Sequence, residues 1–187
     1  DGELRMDRGT SLTADGPAAA LSVTGDAFVD GANLFALAGG TLALPGLTHY
    51  RNLTTANNQT AMFKAEGSGS RLELGGLKSL LNGTHYNTDL LIDALDGGVI
   101  DLAGLVQIVE PLESDSRRTS VQLTASGPGS EIDLGALENF SDRFGSGSAD
   151  GQYSTLSATA GGTLHVDSLR FAEGVEVAID GSGTISL

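Results

Sequence analysis

Glu73, Asp101 and Asp133 stand in one short phrase, each between two branched aliphatic residues: Leu72-Glu73-Leu74, Ile100-Asp101-Leu102 and Ile132-Asp133-Leu134. In a strand the two aliphatic side chains share one face and the acid points the other way. If successive phrases lie side by side, neighbouring carboxylates stand about 4.8 Å apart. Two chemistries use such a row. Glycoside hydrolysis needs a carboxylate pair about 5–9 Å apart, which Glu73 with Asp101, or Asp101 with Asp133, would supply. A hard cation such as Ca²⁺ takes carboxylate oxygens. The plainer outcome is a solvated acidic stripe, whose like charges repel unless screened, paired or bridged.

Asp93, Asp96 and Asp101 are the calcium candidates, clustered within nine residues. Their spacing does not follow the D-x-D-x-D-G order of a helix-loop-helix calcium loop. Calcium is the one cofactor for which the sequence offers ligands, and no other is implied. His49-Tyr50 and His85-Tyr86 recur in the tripeptide Thr-His-Tyr. A tyrosine offers an apolar face and a hydroxyl, suited to stacking on a sugar or a protein. The alternative is that both tyrosines cover open sheet edges. The spacing of His49, His85 and His165 is no metal signature. Cleavage of a polyuronate by elimination would also need cations beside the carboxylates, and Arg117-Arg118, Arg51 and Lys64 are the candidates. Asn52-Leu53-Thr54, Asn58-Gln59-Thr60 and Asn82-Gly83-Thr84 match the glycosylation acceptor pattern, which arises often by chance in Asn- and Thr-rich loops.

These residues sit on a repeat. Leu42, Leu72, Ile100, Ile132, Leu164 and Ile185 share one position, at steps of 30, 28, 32, 32 and 21 residues. Leu21 precedes Leu42 by another 21 and opens a plausible earlier copy. Two residues on come Leu44, Leu74, Leu102, Leu134, Val166 and Leu187; three further on come Leu47, Leu77, Leu105, Leu137 and Leu169. The third position breaks the period of two, so a bend lies before it. Gly46, Gly75-Gly76, Gly104 and Gly135 fall in that bend, where a residue without Cβ can turn tightly. A single copy cannot bury its apolar face, whereas stacked copies can. The predicted fold is all-β: a parallel β-helix with rungs of about 21–32 residues and corner loops. Leucine-rich repeats share L-x-L-x-x-L, but only Glu138-Asn139 approaches the Asn or Cys that they require.

The chain of 187 residues carries 10 Lys and Arg against 24 Asp and Glu, a net charge of −14. That argues against nucleic acid and anionic membranes as partners. Glycine is frequent, at 27 residues, and cysteine is absent, which excludes disulfides and thiolate chemistry. No apolar run approaches the roughly 20 residues of a membrane span. One domain is expected over 1–187, with 1–17 an N-terminal cap or imperfect rung. Both ends look cut, as in a piece of a longer repetitive protein, and open ends invite self-association. The connections read as polar excursions: Thr48 to Gln59, Leu80 to Thr88, Val106 to Arg118 and Glu138 to Gln152. In the last, Phe140 and Phe144 suggest a short helix from Leu137 to Phe144 folded back on the core.

With Leu42/Leu44 through Leu164/Val166 and the pairs Gly39-Gly40, Gly97-Gly98 and Gly161-Gly162, the chain resembles the right-handed parallel β-helices of large secreted bacterial adhesins. These include autotransporter passengers and filamentous haemagglutinin-like proteins, within the wider pectin-lyase-like superfold. The resemblance covers roughly Ala18 to Leu187. It implies a non-enzymatic structural or adhesive module, located outside the cell or on the bacterial surface, with a polysaccharide or another surface protein as partner. The Asp-Asp and Gly-His-Gly elements of polygalacturonases are missing. The competing expectation is a glycan-binding or polysaccharide-cleaving β-helix.

Overall fold

The computed structural model describes residues 2–112, 117–143 and 152–187. Among them there is no helix. Every strand pairing is parallel, and the strands stack as a β-solenoid with three faces.

The first face holds seven strands, from Ser11–Asp15 through Asn33–Leu37, Thr60–Glu66, Asp89–Leu95, Ser120–Ser126 and Ser154–Thr159 to Val175–Ile179. The second face also holds seven, from Ala20–Ser22 to Thr184–Ser186. Its register joins Leu21, Leu42, Leu72, Ile100, Ile132, Leu164 and Ile185 in one column, as the sequence spacing predicts. A turn bond follows in each full rung, among them Leu77 N to Leu74 O at 2.9 Å and Leu105 N to Leu102 O at 2.9 Å. That is the bend before the third leucine.

All but the last strand of the third face lie in or at the edge of the stretches that read as polar excursions. Its strands are His49–Arg51, Ser79–Leu81, Gln107–Glu110, Asn139–Asp142 and Phe171–Glu173. Inward it stacks Tyr50, Leu80, Ile108 and Phe140. The expected helix at Leu137 is therefore a strand. Phe140 points into the core because it continues this column, not because it shares a helix face with Phe144, which lies outside the described residues. At the start, Leu4–Arg5 pairs with Ala27–Phe28. The stretch 11–22 forms a rung of its own on the first and second faces.

The interior is a set of like-on-like columns. Ala14, Ala36, Ala65, Ala94, Ala125 and Ala158 stack on the first face. Beside them run Leu34, Phe63, Ile92, Leu123 and Leu156, all buried. Burial of such side chains stabilises by about 1.5–3 kcal/mol each before ordering costs. The glycines in the bends serve proximity more than conformation. A Cβ on Gly76 would lie 2.1 Å from Pro45 O of the preceding rung, and one on Gly104 would lie 2.1 Å from Gly75 O.

The connections from first to second face alternate in length. Residues 16–19, 67–70 and 127–130 make four-residue turns, whereas 38–40, 96–98 and 160–162 make three-residue turns. The short turns open with a non-glycine residue in the left-handed region, Ala38, Asp96 or Ala160, followed by glycine. Each long turn ending in serine clasps the short turn before it. Ser70 Oγ accepts Gly39 N at 2.9 Å and donates to Glu66 O at 2.6 Å. Ser130 Oγ does the same with Gly97 N at 3.0 Å and Ser126 O at 2.7 Å.

Candidate functional site

The second face carries the acidic row. Ala43, Glu73, Asp101, Asp133, His165 and Ser186 are neighbours in register, all pointing outward. Each carboxylate is engaged locally. Asp101 Oδ1 accepts the amide of Ala103 at 2.9 Å, and Asp133 Oδ1 accepts that of Gly135 at 2.8 Å. Both close the small turn that starts the bend. Glu73 pairs with Arg71 Nε at 3.3 Å, and His165 Nε2 lies 3.4 Å from Glu131. The row lies on a strand face, and the depressions described below are lined by other residues.

The calcium candidates do not come together. Asp93 points outward on the first face between Lys64 and Thr124, where partial burial raises its carboxyl while the Lys64 charge and the Thr124 hydroxyl oppose this. Asp96 forms a turn, and Asp101 is on the second face. Among the described residues no group of three or more His, Asp or Glu side chains is placed to hold a metal ion.

The two Thr-His-Tyr tripeptides occupy different places. Tyr50, expected at an open edge, is in the core with 1% of its surface exposed. Strand alternation turns His49 and Arg51 outward and Tyr50 inward. Its hydroxyl donates to Ala32 O at 3.0 Å, and its ring meets Phe63 edge-on at 4.6 Å. Burial, with the Asp30 charge added, holds the phenol well above its usual range. Tyr50 thus offers no face to a ligand. His49 Nδ1 lies 2.8 Å from Ser79 Oγ across the rung gap. His85 and Tyr86 belong to the loop after the third face. His85 Nδ1 sits 3.1 Å from Thr54 Oγ1, and the Arg117 guanidinium stands 5.5 Å from the Tyr86 ring. These loops are themselves stacked: Asn87 Nδ2 donates to Asn58 Oδ1 at 2.8 Å, and both residues have positive φ.

Where the third face ends, polar side chains turn inward, one per rung: Asn52, Asn82, Glu110 and Asp142. Asn52 Nδ2 donates to Asn82 Oδ1 at 2.7 Å and to Asp89 O at 3.1 Å. Asn82 Nδ2 donates to Glu110 Oε1 at 2.5 Å and to Ser120 O at 3.0 Å. Asp142 Oδ2 accepts both the amide and the hydroxyl of Ser154 at 2.9 Å. The column thereby ties the end of one rung to the start of the next. Burial pushes the Glu110 carboxyl well above the usual range; the Asn82 and Thr119 bonds oppose this, and the Asp142 and Asp89 charges add to it. Asp89 is raised by burial, against Ser120 and Arg118. Sequence reasoning missed this column, yet a signal exists. Asn52, Asn82, Glu110 and Asp142 each follow the third repeat leucine by five residues. Two of the glycosylation acceptor patterns dissolve here, because Asn52 and Asn82 are buried.

Just outside the column runs a groove along the solenoid axis. Its middle is a depression of about 400 Å³ between Leu81 and Val109 on the strand face and Leu53, Thr84 and Leu112 on the loops. It shares Leu53 with a larger depression of about 670 Å³ beside Phe28 and Arg8, and Val109, Pro111 and Leu112 with a smaller one beside Arg143. Leu53, Leu112 and Phe28 are among the exposed large apolar side chains. Compared with protein-family models, curated proteins and solved structures, the chain shows no match.

Proposed function

We propose that this chain is a non-enzymatic structural and adhesive repeat module of a secreted or cell-surface bacterial protein, with the axial groove as its contact surface. One observation carries this reading. The outward carboxylates of the second-face row are taken up in turn and ion-pair contacts on a strand face, while the exposed Phe28, Leu53 and Leu112 line one corner. Exposed apolar patches rimmed by polar residues mark interaction sites.

The test is retention of protein-coated beads on immobilised polysaccharides and surface proteins, with product release assayed in parallel. Retention without product release, lost when Leu53→Asp and Leu112→Asp are combined, is the expected result. Release of oligosaccharide would replace this reading with the second one, a glycan-binding or glycan-cleaving β-helix. The second reading draws on the groove's length along the axis, with Arg51 and Thr84 beside its apolar floor. That suits a linear polymer.

A further inference from the structure

The corner column ends in two neighbouring buried acids. Glu110 and Asp142 are 2% and 0% exposed and are direct neighbours in register, so their backbones stand about 4.8 Å apart. Asp142 receives two donors from Ser154 on one oxygen. Glu110 receives Asn82 on Oε1 and a further bond from Thr119, while Oε2 is buried with no hydrogen-bond partner among the described residues. Among the described residues, the charged groups around it do not favour a second anion. Asp142 and Asp89 are negative, Arg118 acts on Asp89, and Arg143 at the rim is paired with Glu173 at 3.5 Å. Asn82, Thr119 and Ser120, on the other strands packed here, carry no charge.

We propose that Glu110 keeps its proton through the neutral range, and that the Glu110–Asp142 corner is a pH-responsive clasp, closed in acid and loosened in alkali. Two adjacent interior carboxylates cannot both ionise cheaply, and a neutral Glu110 removes the repulsion. Burial raises the Glu110 carboxyl in the same direction. Linkage sets the sign. A folded state that holds a proton to higher pH than the unfolded chain has this stability in full below the ordinary glutamate range, near about 4.3. It loses that stability as pH rises toward the folded value. Pro111 and Leu112 follow Glu110 directly and form a groove wall, so the clasp bears on the contact surface.

The test is thermal unfolding of the wild type and Glu110→Gln from pH 5 to 9 at constant ionic strength. Glutamine has the shape of the protonated acid and cannot ionise. The wild type is expected to lose Tm toward alkali, whereas Glu110→Gln holds nearly level and exceeds it at pH 9 by about 4 °C or more. Parallel curves, or no alkaline loss in the wild type, overturn the proposal. Should Glu110→Gln not fold, infrared spectra of the wild type decide. A protonated-carboxyl band at pH 7 that fades toward pH 9 upholds the clasp, and carboxylate bands alone overturn it.

Discussion

The row Glu73–Asp101–Asp133 and the column Asn52–Asn82–Glu110–Asp142 are built by the same rule, yet they behave as opposites. Both place one polar side chain per rung in register. In the row, water screens each charge and a local amide or Arg71 engages it, so a member can change without consequence for its neighbours. In the column, Asn52, Asn82 and Glu110 are hydrogen-bonded in succession, and Asn52, Asn82 and Asp142 also fasten a following strand, so a change at one step propagates. Depth, and not spacing, separates a decorative stack from a structural one.

Breaking the column should have the largest effect. Asn82→Ala strips Glu110, Asn52 and Ser120 O of a partner at once and is expected to lower unfolding free energy by about 3 kcal/mol or more in denaturant titration. A single buried bond gives the next step down. Tyr50→Phe leaves Ala32 O without the phenol and should cost about 1–2 kcal/mol in the same assay. On the row, Asp101→Ala should cost only about 0.5–1 kcal/mol, through the lost bond to Ala103 N. Asp101→Asn keeps an acceptor and removes a like charge, so its unfolding midpoint should match or slightly exceed the wild type's. Smallest of all is the salt response. Added NaCl should raise the wild-type Tm slightly, and less so when Asp101→Asn and Asp133→Asn are combined. A column variant as mild as Asp101→Asn would erase the contrast drawn here.

The second face was legible because its signal is apolar and periodic: every aligned aliphatic from Leu21 to Ile185 pairs in register with its counterpart. The acidic row was legible for the same reason, since it lies between those aliphatics. The third face was not. Its strands are three or four residues long, the first four have only one large inward apolar residue each, and that residue changes from Tyr50 to Leu80, Ile108 and Phe140. Tyr50 and Phe140 therefore read as loop aromatics. The column was hidden by composition. Asn, Glu and Asp after a short strand look like the start of a polar loop, and only the constant offset of five residues distinguishes them. The alternation of turns was hidden as well, because Gly-Gly and Gly-Ser-Gly-Ser look like the same punctuation until their backbones are compared.

That alternation sets a grammar for how such a chain can lengthen. Two of the long turns carry a serine written for the short turn before it, Ser70 for Gly39 and Ser130 for Gly97. A rung inserted or deleted alone would bring two turns of one kind together and leave a glycine amide or a serine hydroxyl without its counterpart. Two rungs added or removed together would restore every match. Across residues 38–130, the unit that preserves both clasps is therefore the couplet of one short and one long turn.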